Sequence, residues 1–424
     1  MKKYLEVQFH HTTPIAKVQR VLQKLELLKT HILTTPTTTK NLFGWIDLAS
    51  SPLDSLLVEH MQSIYKTWLD DGVEVVVIIG TASAYLTTKA IYDLLPVDKF
   101  HRKIQLMFVG HAVTTERLIA DLNLLGNRKF AINVISKSGS SVEPFVVFRE
   151  FRKRLESQVG SNNARKYIVI TTDFERGFLL TLAQKQNYQV LRIPNTLTAR
   201  FSAFTCVTLF PLLLAGYDIF TFFAGAQQAT QEFKTTAGFA NPILVYLANR
   251  TVLADEYKVD LFCAVETQYQ KFLEWIVLLF EETETKGNHG LFSANTLLAH
   301  NFKYATHTFG TQIRAQSATT SSALDVLTYY QKEYAHKDLY INKEKPFSVD
   351  WELLQAKLAS QLLPVKSFEL ITFTLAKLDL ETLGYLLQFL YFAATLNGLL
   401  NDVDPFNQSA VEVFKNNLLK SFDK

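Results

Sequence analysis

A chain of 424 residues with 48% apolar and 20% charged side chains can bury more than one substantial core, which excludes an intrinsically disordered protein. A formal charge of +3 over that length leaves no basic stripe of the kind a nucleic-acid binder carries. The one basic cluster, "FREFRKRLE" at 148–156, reads as the solvated face of a helix, and the two cysteines, Cys206 and Cys263, sit in apolar runs that suit a reducing cytoplasm.

The start "MKKYLEVQFHH" is positively charged but no apolar core follows, so no secretory signal is expected. Residues 1–70 read as a mostly helical segment: "HTTPIAKVQRVLQKLELL" and "DSLLVEHMQSIYKTWLDD" repeat apolar positions at three-and-four spacing, with the polar loop "TTPTTTK" between them. Short β-branched runs then alternate with amphipathic helices. The runs are 73–79, 103–109, 129–136, 166–172 and 188–194. Strands apolar on both faces, each followed by a helix, predict a doubly wound α/β domain with a parallel sheet over 71–220. The greasiest stretch, "CVTLFPLLLAGYDIFTFFAGA", contains Pro211, Gly216 and Asp218, which favours a buried helix and a short following element over a membrane span. A second α/β unit is expected over 221–400, with strands at 258–266 and 367–375 and a long helix in "ETLGYLLQFLYFAATLNGLL". A C-terminal helical segment, 401–424, closes the chain.

The most informative stretch is "INVISKSGSSVEP", where a strand runs into Ser136, Lys137, Ser138, Gly139, Ser140 and Ser141 before a helix. In doubly wound sheets, ligands sit beyond the C-terminal strand ends. Unpaired N–H groups and the positive dipole at a helix start bind anions, hydroxyls add donors, and Lys137 adds a charge. A phosphate monoester is the natural guest. A capping box of Ser140 with Glu143 is the structural alternative. It leaves Ser136, Lys137, Ser138 and Ser141 unexplained, and the residues alone leave both readings open.

"INVISKSGSSVEP" also resembles the signature of the glucose-6-phosphate isomerase family, a strand ending in Ser-Lys-(Ser/Thr)-Gly-Thr-Thr before Glu-Pro. Further blocks follow in the family's order: "FVGHAVTTERL", "ITTDFERGFLLTLA", "RFSAFTCVTLFPLLLAGYDI", "LFEETETKG" and "DVDPFNQSAVEVFKNNLL". The resemblance covers most of the chain. It implies two sugar-isomerase (SIS-type) αβα sandwich domains, and interconversion of an aldose 6-phosphate and a ketose 6-phosphate through a cis-enediol without metal or cofactor. It also implies a cytoplasmic homodimer with shared active sites, and neither nucleic acid nor membrane as partner.

Carried over residue by residue, the resemblance makes Glu282 the proton carrier. Glu282 stands at the end of the helix "TQYQKFLEWIVLLF" beside Glu281 and Glu284, where a solvated acidic helix end is the plainer reading. His307, in "ATHTFGTQIRAQ", matches the ring-opening histidine that precedes a short (Ser/Thr)-x-Gly-Gln turn and reaches the site from the neighbouring subunit; Thr311 replaces that glutamine, with Gln312 next. Among the other histidines, His10, His11, His60, His101 and His336 read as surface residues, and His289 and His300 as weaker alternates. Lys415 matches the family lysine at the ring oxygen, and Arg200 the arginine that balances the enediolate's charge, though Arg200 could simply pair with Asp218 or Glu143. Ser136, Lys137, Ser138, Ser141 and Gln408 match phosphate contacts.

Two glycine loops depart from the family. Its Gly-Ile-Gly-Gly-Ser turn reads "GTASA" here, Gly80 to Ala84, with Ser83 as the nearest hydroxyl, and the Gly-Gly before the arginine reads Thr198-Ala199. A Cβ at a positive φ costs about 1–2 kcal/mol. The alternatives are therefore a dual phosphoglucose/phosphomannose isomerase with the same machinery, or a catalytically weakened sugar-phosphate-binding protein.

Overall fold

The five runs between 73 and 194 form strands because they are rich in β-branched residues, with the central ones buried on both faces. In the computed structural model, which describes residues 2–10, 13–95, 104–111, 114–139, 142–175, 177–285, 290–297, 308–315 and 369–407, they are β2 (Val75–Ile79), β3 (Gln105–Val109), β4 (Phe130–Ser136), β5 (Ile168–Asp173) and β6 (Gln189–Ile193). All are parallel, in the order β3-β2-β4-β5-β6. β2 and β4 are buried along their whole lengths. This is the doubly wound sheet the pattern predicts.

The second sheet is less regular in sequence. Its strands are β1 (Leu5–His10), β7 (Val259–Ala264), β8 (Phe292–Leu297), β9 (Thr308–Ala315) and β10 (Leu370–Leu375), in the order β1-β10-β9-β7-β8. β1 pairs antiparallel with β10, Leu5 opposite Leu375, so the N-terminal segment opens with an edge strand of the second sheet before its helices begin. β9 occupies the centre, hydrogen-bonded to β7 on one side and β10 on the other. The residues after His307 are therefore strand; paired on both sides, that backbone has no freedom to form the expected turn.

The greasy stretch becomes the helix Cys206–Leu214, with Pro211 inside it, and the helix Ile219–Thr235 after the turn at Gly216. The second element is longer than its sequence suggests because the Asp218 carboxylate caps it, accepting hydrogen bonds from the N–H groups of Phe220 and Thr221. This helix meets the helix Leu380–Leu400 almost backbone to backbone. A Cβ on Gly225 would lie 1.9 Å from the Glu381 carbonyl oxygen, and one on Gly384 the same distance from that of Phe222. The 380–400 helix is long and apolar enough to cross a membrane, yet it is buried on every side from Thr382 to Gly398. Its apolar surface goes into the core.

Candidate active site

One cleft of about 880 Å³ opens beyond the C-terminal ends of the first sheet. Ser83, Ser136, Lys137, Ser138 and Glu282 all line it. Asp173, Glu175, Asn195, Thr198 and Ala199 line it too, with Thr39 and Leu42 from the N-terminal segment and Phe406 from the chain's other end.

The serine loop is held by its own backbone. Ser136 Oγ accepts a hydrogen bond from Gly139 N–H at 3.2 Å, and its carbonyl accepts one from Thr172 Oγ1 at 2.8 Å. Ser136 thus shapes the loop. Gly139 (φ 63°) and Gly177 (φ 124°) let this loop touch the next one: their Cβ atoms would stand 3.1 Å from Leu179 N and 3.2 Å from the Ser138 carbonyl oxygen. That contact brings the start of the helix Phe178–Gln186 to the cleft, beside the start of the helix Ser83–Leu94. Two helix N-termini thus open at this end of the cleft, where the Lys137 ammonium lies 3.8 Å from Asp173 Oδ2.

Opposite lies the end of the helix Gln270–Glu284. Three neighbouring acids there go separate ways, because successive helical residues turn by about 100°. Glu281 accepts from the Ser293 N–H, and burial pushes its carboxyl above the ordinary range. Glu284 turns into the core and is fully buried against Arg250. Only Glu282 of the three faces the cleft, with 26% of its side chain exposed.

Arg200 meets it there. Its Nη1 donates to Glu282 Oε2 at 3.1 Å and its Nη2 to the Pro405 carbonyl, so neither Asp218 nor Glu143 is its partner. The guanidinium is 1% exposed, and its Nε has no hydrogen-bond partner among the described residues. Burial draws its pKa down while Glu282 and Asp404 draw it up, and an arginine remains cationic throughout. Its position is firm because the next residue, Phe201, packs against Trp45, Tyr391 and Phe406 with ring centroids 4.8–5.5 Å away.

The two altered glycine loops differ. Ala82 takes φ 49°, ψ −128°, and the Ala84 N–H bonds back to the Thr81 carbonyl, the geometry of a turn whose second residue is normally glycine. Thr198 and Ala199 carry no such strain: Thr198 is extended at φ −87°, and Ala199 begins a short 3₁₀ turn. His307, Lys415, Gln408 and Ser141 lie outside the described residues. Sequence reasoning misses Asp173 and Glu175, although both lie in the block "ITTDFERG", and it misses Thr39 and Phe406, which carry no chemical signature.

No protein-family model matches the chain. Among curated proteins, glucose-6-phosphate isomerase of Mycoplasmopsis synoviae is 31% identical over 427 aligned positions, covering 98% of this chain and 97% of the relative. Among solved structures, a hypothetical protein from Thermus thermophilus superimposes with a TM-score of 0.81 at 21% identity, covering 97% of both chains. A glucose-6-phosphate isomerase from Chlamydia trachomatis superimposes with a TM-score of 0.71 at 15% identity, covering 99% of this chain and 88% of that one. With the fold shared at that level and nearly full-length identity above 30%, the chain belongs to the glucose-6-phosphate isomerase family.

Proposed function

We propose that this cleft interconverts glucose 6-phosphate and fructose 6-phosphate with Glu282 as the proton carrier. The chain is an aldose–ketose isomerase of its family. In our reading the phosphate enters the serine loop, held by Lys137, Ser138, Ser141 and the Ser136 hydroxyl, with Ser83 and Gln408 assisting. His307 and Lys415 open the ring. The Glu282 carboxylate then takes the proton from C2 of the open-chain aldose, the C2–H electrons form the C1–C2 double bond, and the carbonyl oxygen becomes the enediolate. Arg200 offsets that negative charge, the C2 hydroxyl proton passes to O1 so that the charge moves to O2, and protonated Glu282 then returns its proton to C1 as the C2–O2 bond becomes the carbonyl of the ketose.

The observation that carries this reading is the shared cleft: Glu282 lines the same cavity as Ser136, Lys137 and Ser138, with Arg200 3.1 Å away. A fixed cation beside a growing negative charge stabilises the transition state more than the ground state. We read the enzyme as a cytoplasmic homodimer. Phe145, Val146, Phe174 and Phe178 are exposed near the serine loop, and burying them on a second copy would remove apolar surface from water.

The test is a coupled assay on fructose 6-phosphate. Glu282→Gln, which keeps shape but cannot carry the proton, should lower kcat by about 10²- to 10⁴-fold while a hexitol 6-phosphate still binds. Full turnover in that variant would refute the reading. Equal turnover of mannose 6-phosphate by the unmodified protein would make it the dual isomerase, and phosphate-ester binding without turnover the weakened binder.

A further inference from the structure

Behind Glu282, on the side away from the cleft, lies a fully buried ionic cluster that the proton transfer does not use. Arg250, on the helix Pro242–Leu253, donates through Nη1 and Nη2 to the two oxygens of Glu284 at 2.9 and 2.7 Å. Its Nε donates to Asp260 Oδ2 in β7 at 2.7 Å. Asp260 Oδ1 accepts from Thr311 Oγ1 in β9 at 3.0 Å, and Glu284 Oε2 accepts from Asn397 Nδ2 on the 380–400 helix. The guanidinium also lies over the Phe280 ring, 4.8 Å from its centre. Arg250, Asp260, Glu284 and Thr311 are 0% exposed.

One fully buried cation here faces two fully buried carboxylates. Burial raises the carboxyl groups of Asp260 and Glu284. It also opposes the charge on Arg250, but the two acids hold that guanidinium above its ordinary value. Apolar residues of similar volume often replace such clusters at no loss of stability. Stability alone is therefore a weak reason for an arginine here, and its connections supply a better one.

Two of these partners sit on segments that continue to the cleft. Glu284 lies two residues beyond Glu282 on the same helix. Asn397 lies on the helix that leads to Pro405, whose carbonyl takes Arg200, and Gly398 brings that helix against the peptide between the two acids: its Cβ would stand 2.9 Å from the Thr283 carbonyl oxygen. We infer that Arg250 is a positioning residue for the isomerase reaction: through Glu284 and Asn397 it fixes the end of the Glu282 helix relative to the 405 segment, and so sets the Glu282–Arg200 geometry.

This inference rests on the proposed roles of Glu282 and Arg200. A displacement of about 1 Å in a reacting group lowers a rate by about 10²-fold without touching the substrate's far end. Arg250→Met should therefore lower kcat by about 10- to 100-fold while KM and the affinity for a hexitol 6-phosphate stay within about threefold of the unmodified enzyme. Arg250→Lys keeps the charge but cannot grip two carboxylates through a planar fork, so it should restore part of the lost kcat. Should Arg250→Met fail to fold, Asn397→Leu carries the test, since it cuts the link to the 380–400 helix and leaves the ion pairs in place. Circular dichroism and the folded fraction accompany each measurement. Unchanged kcat in a folded variant would overturn the inference, as would activity that falls only with the folded fraction or together with hexitol phosphate affinity. Glu282→Gln separates the two readings: if it stays active the cleft chemistry fails, and if it is dead while the Arg250 variants are fully active only the positioning role fails.

Discussion

Ala82 carries a conformational penalty that glycine would not. At φ 49°, ψ −128° its Cβ crowds the backbone, which costs about 1–3 kcal/mol. Ala82→Gly removes that strain, but glycine's greater freedom in the unfolded chain offsets about 0.4–1 kcal/mol of the gain. The balance is a stabilisation of about 1 kcal/mol. Unfolding entropy of about 2.1 cal/mol/K per residue over 424 residues turns this into a rise of about 1 °C in thermal midpoint. Replicate differential scanning fluorimetry, with Ala199→Gly as the matched control, resolves it. Ala199→Gly restores a family glycine just as Ala82→Gly does, yet Ala199 sits in a 3₁₀ turn without strain, so it should lose about 0.5–1 kcal/mol. Opposite signs for the two variants are the expected result. Loss of stability in Ala82→Gly, or the same sign in both, would refute the strain argument.

Gly384→Ala drives a methyl group into the Phe222 carbonyl, 1.9 Å away, and should cost about 1–3 kcal/mol or more, seen as a lower urea midpoint. Cys206 and Cys263 are fully buried, and burial pushes the Cys206 thiol up to about 12, so Ellman's reagent at pH 8 should label neither thiol until the protein is unfolded. Asp218 caps the 219–235 helix, and Asp218→Ala should cost about 1 kcal/mol at neutral pH. Hydrogen bonds from Thr221 hold its carboxyl below the ordinary aspartate value. Its contribution is therefore present above the unfolded-state pKa and lost as pH falls through the folded-state one, so the gap between variant and parent should close in acid.

The first sheet was legible because its strands are short, mostly apolar and β-branched runs alternating with amphipathic helices, "VVVII" in β2 above all. The second sheet hid its centre. β9 reads "TFGTQIRA", with four polar or charged side chains in eight residues, and it is buried because Thr311 bonds Asp260 and because strands flank it on both sides. That satisfaction comes from residues about 50 positions away and leaves no local trace. The serine loop stood out by its hydroxyls and Lys137, although those residues alone left anion binding and helix capping open, whereas Glu282 stood out from Glu281 and Glu284 only through the family resemblance. Nothing in "LFEETETKG" says which acid turns inward; the answer lies with Arg250, thirty-odd residues upstream.

The antiparallel pairing of β1 with β10 has a bearing on biosynthesis. The first sheet draws all its strands from one contiguous stretch, 75–193, so its pairings need no strand from elsewhere in the chain. The second must join Leu5 to Leu375, a loop closure of 370 positions, so its outer strand waits until most of the chain has been translated. During that interval "LEVQFH", an alternating segment rich in β-formers, is unmatched and exposed to whatever edge it meets first.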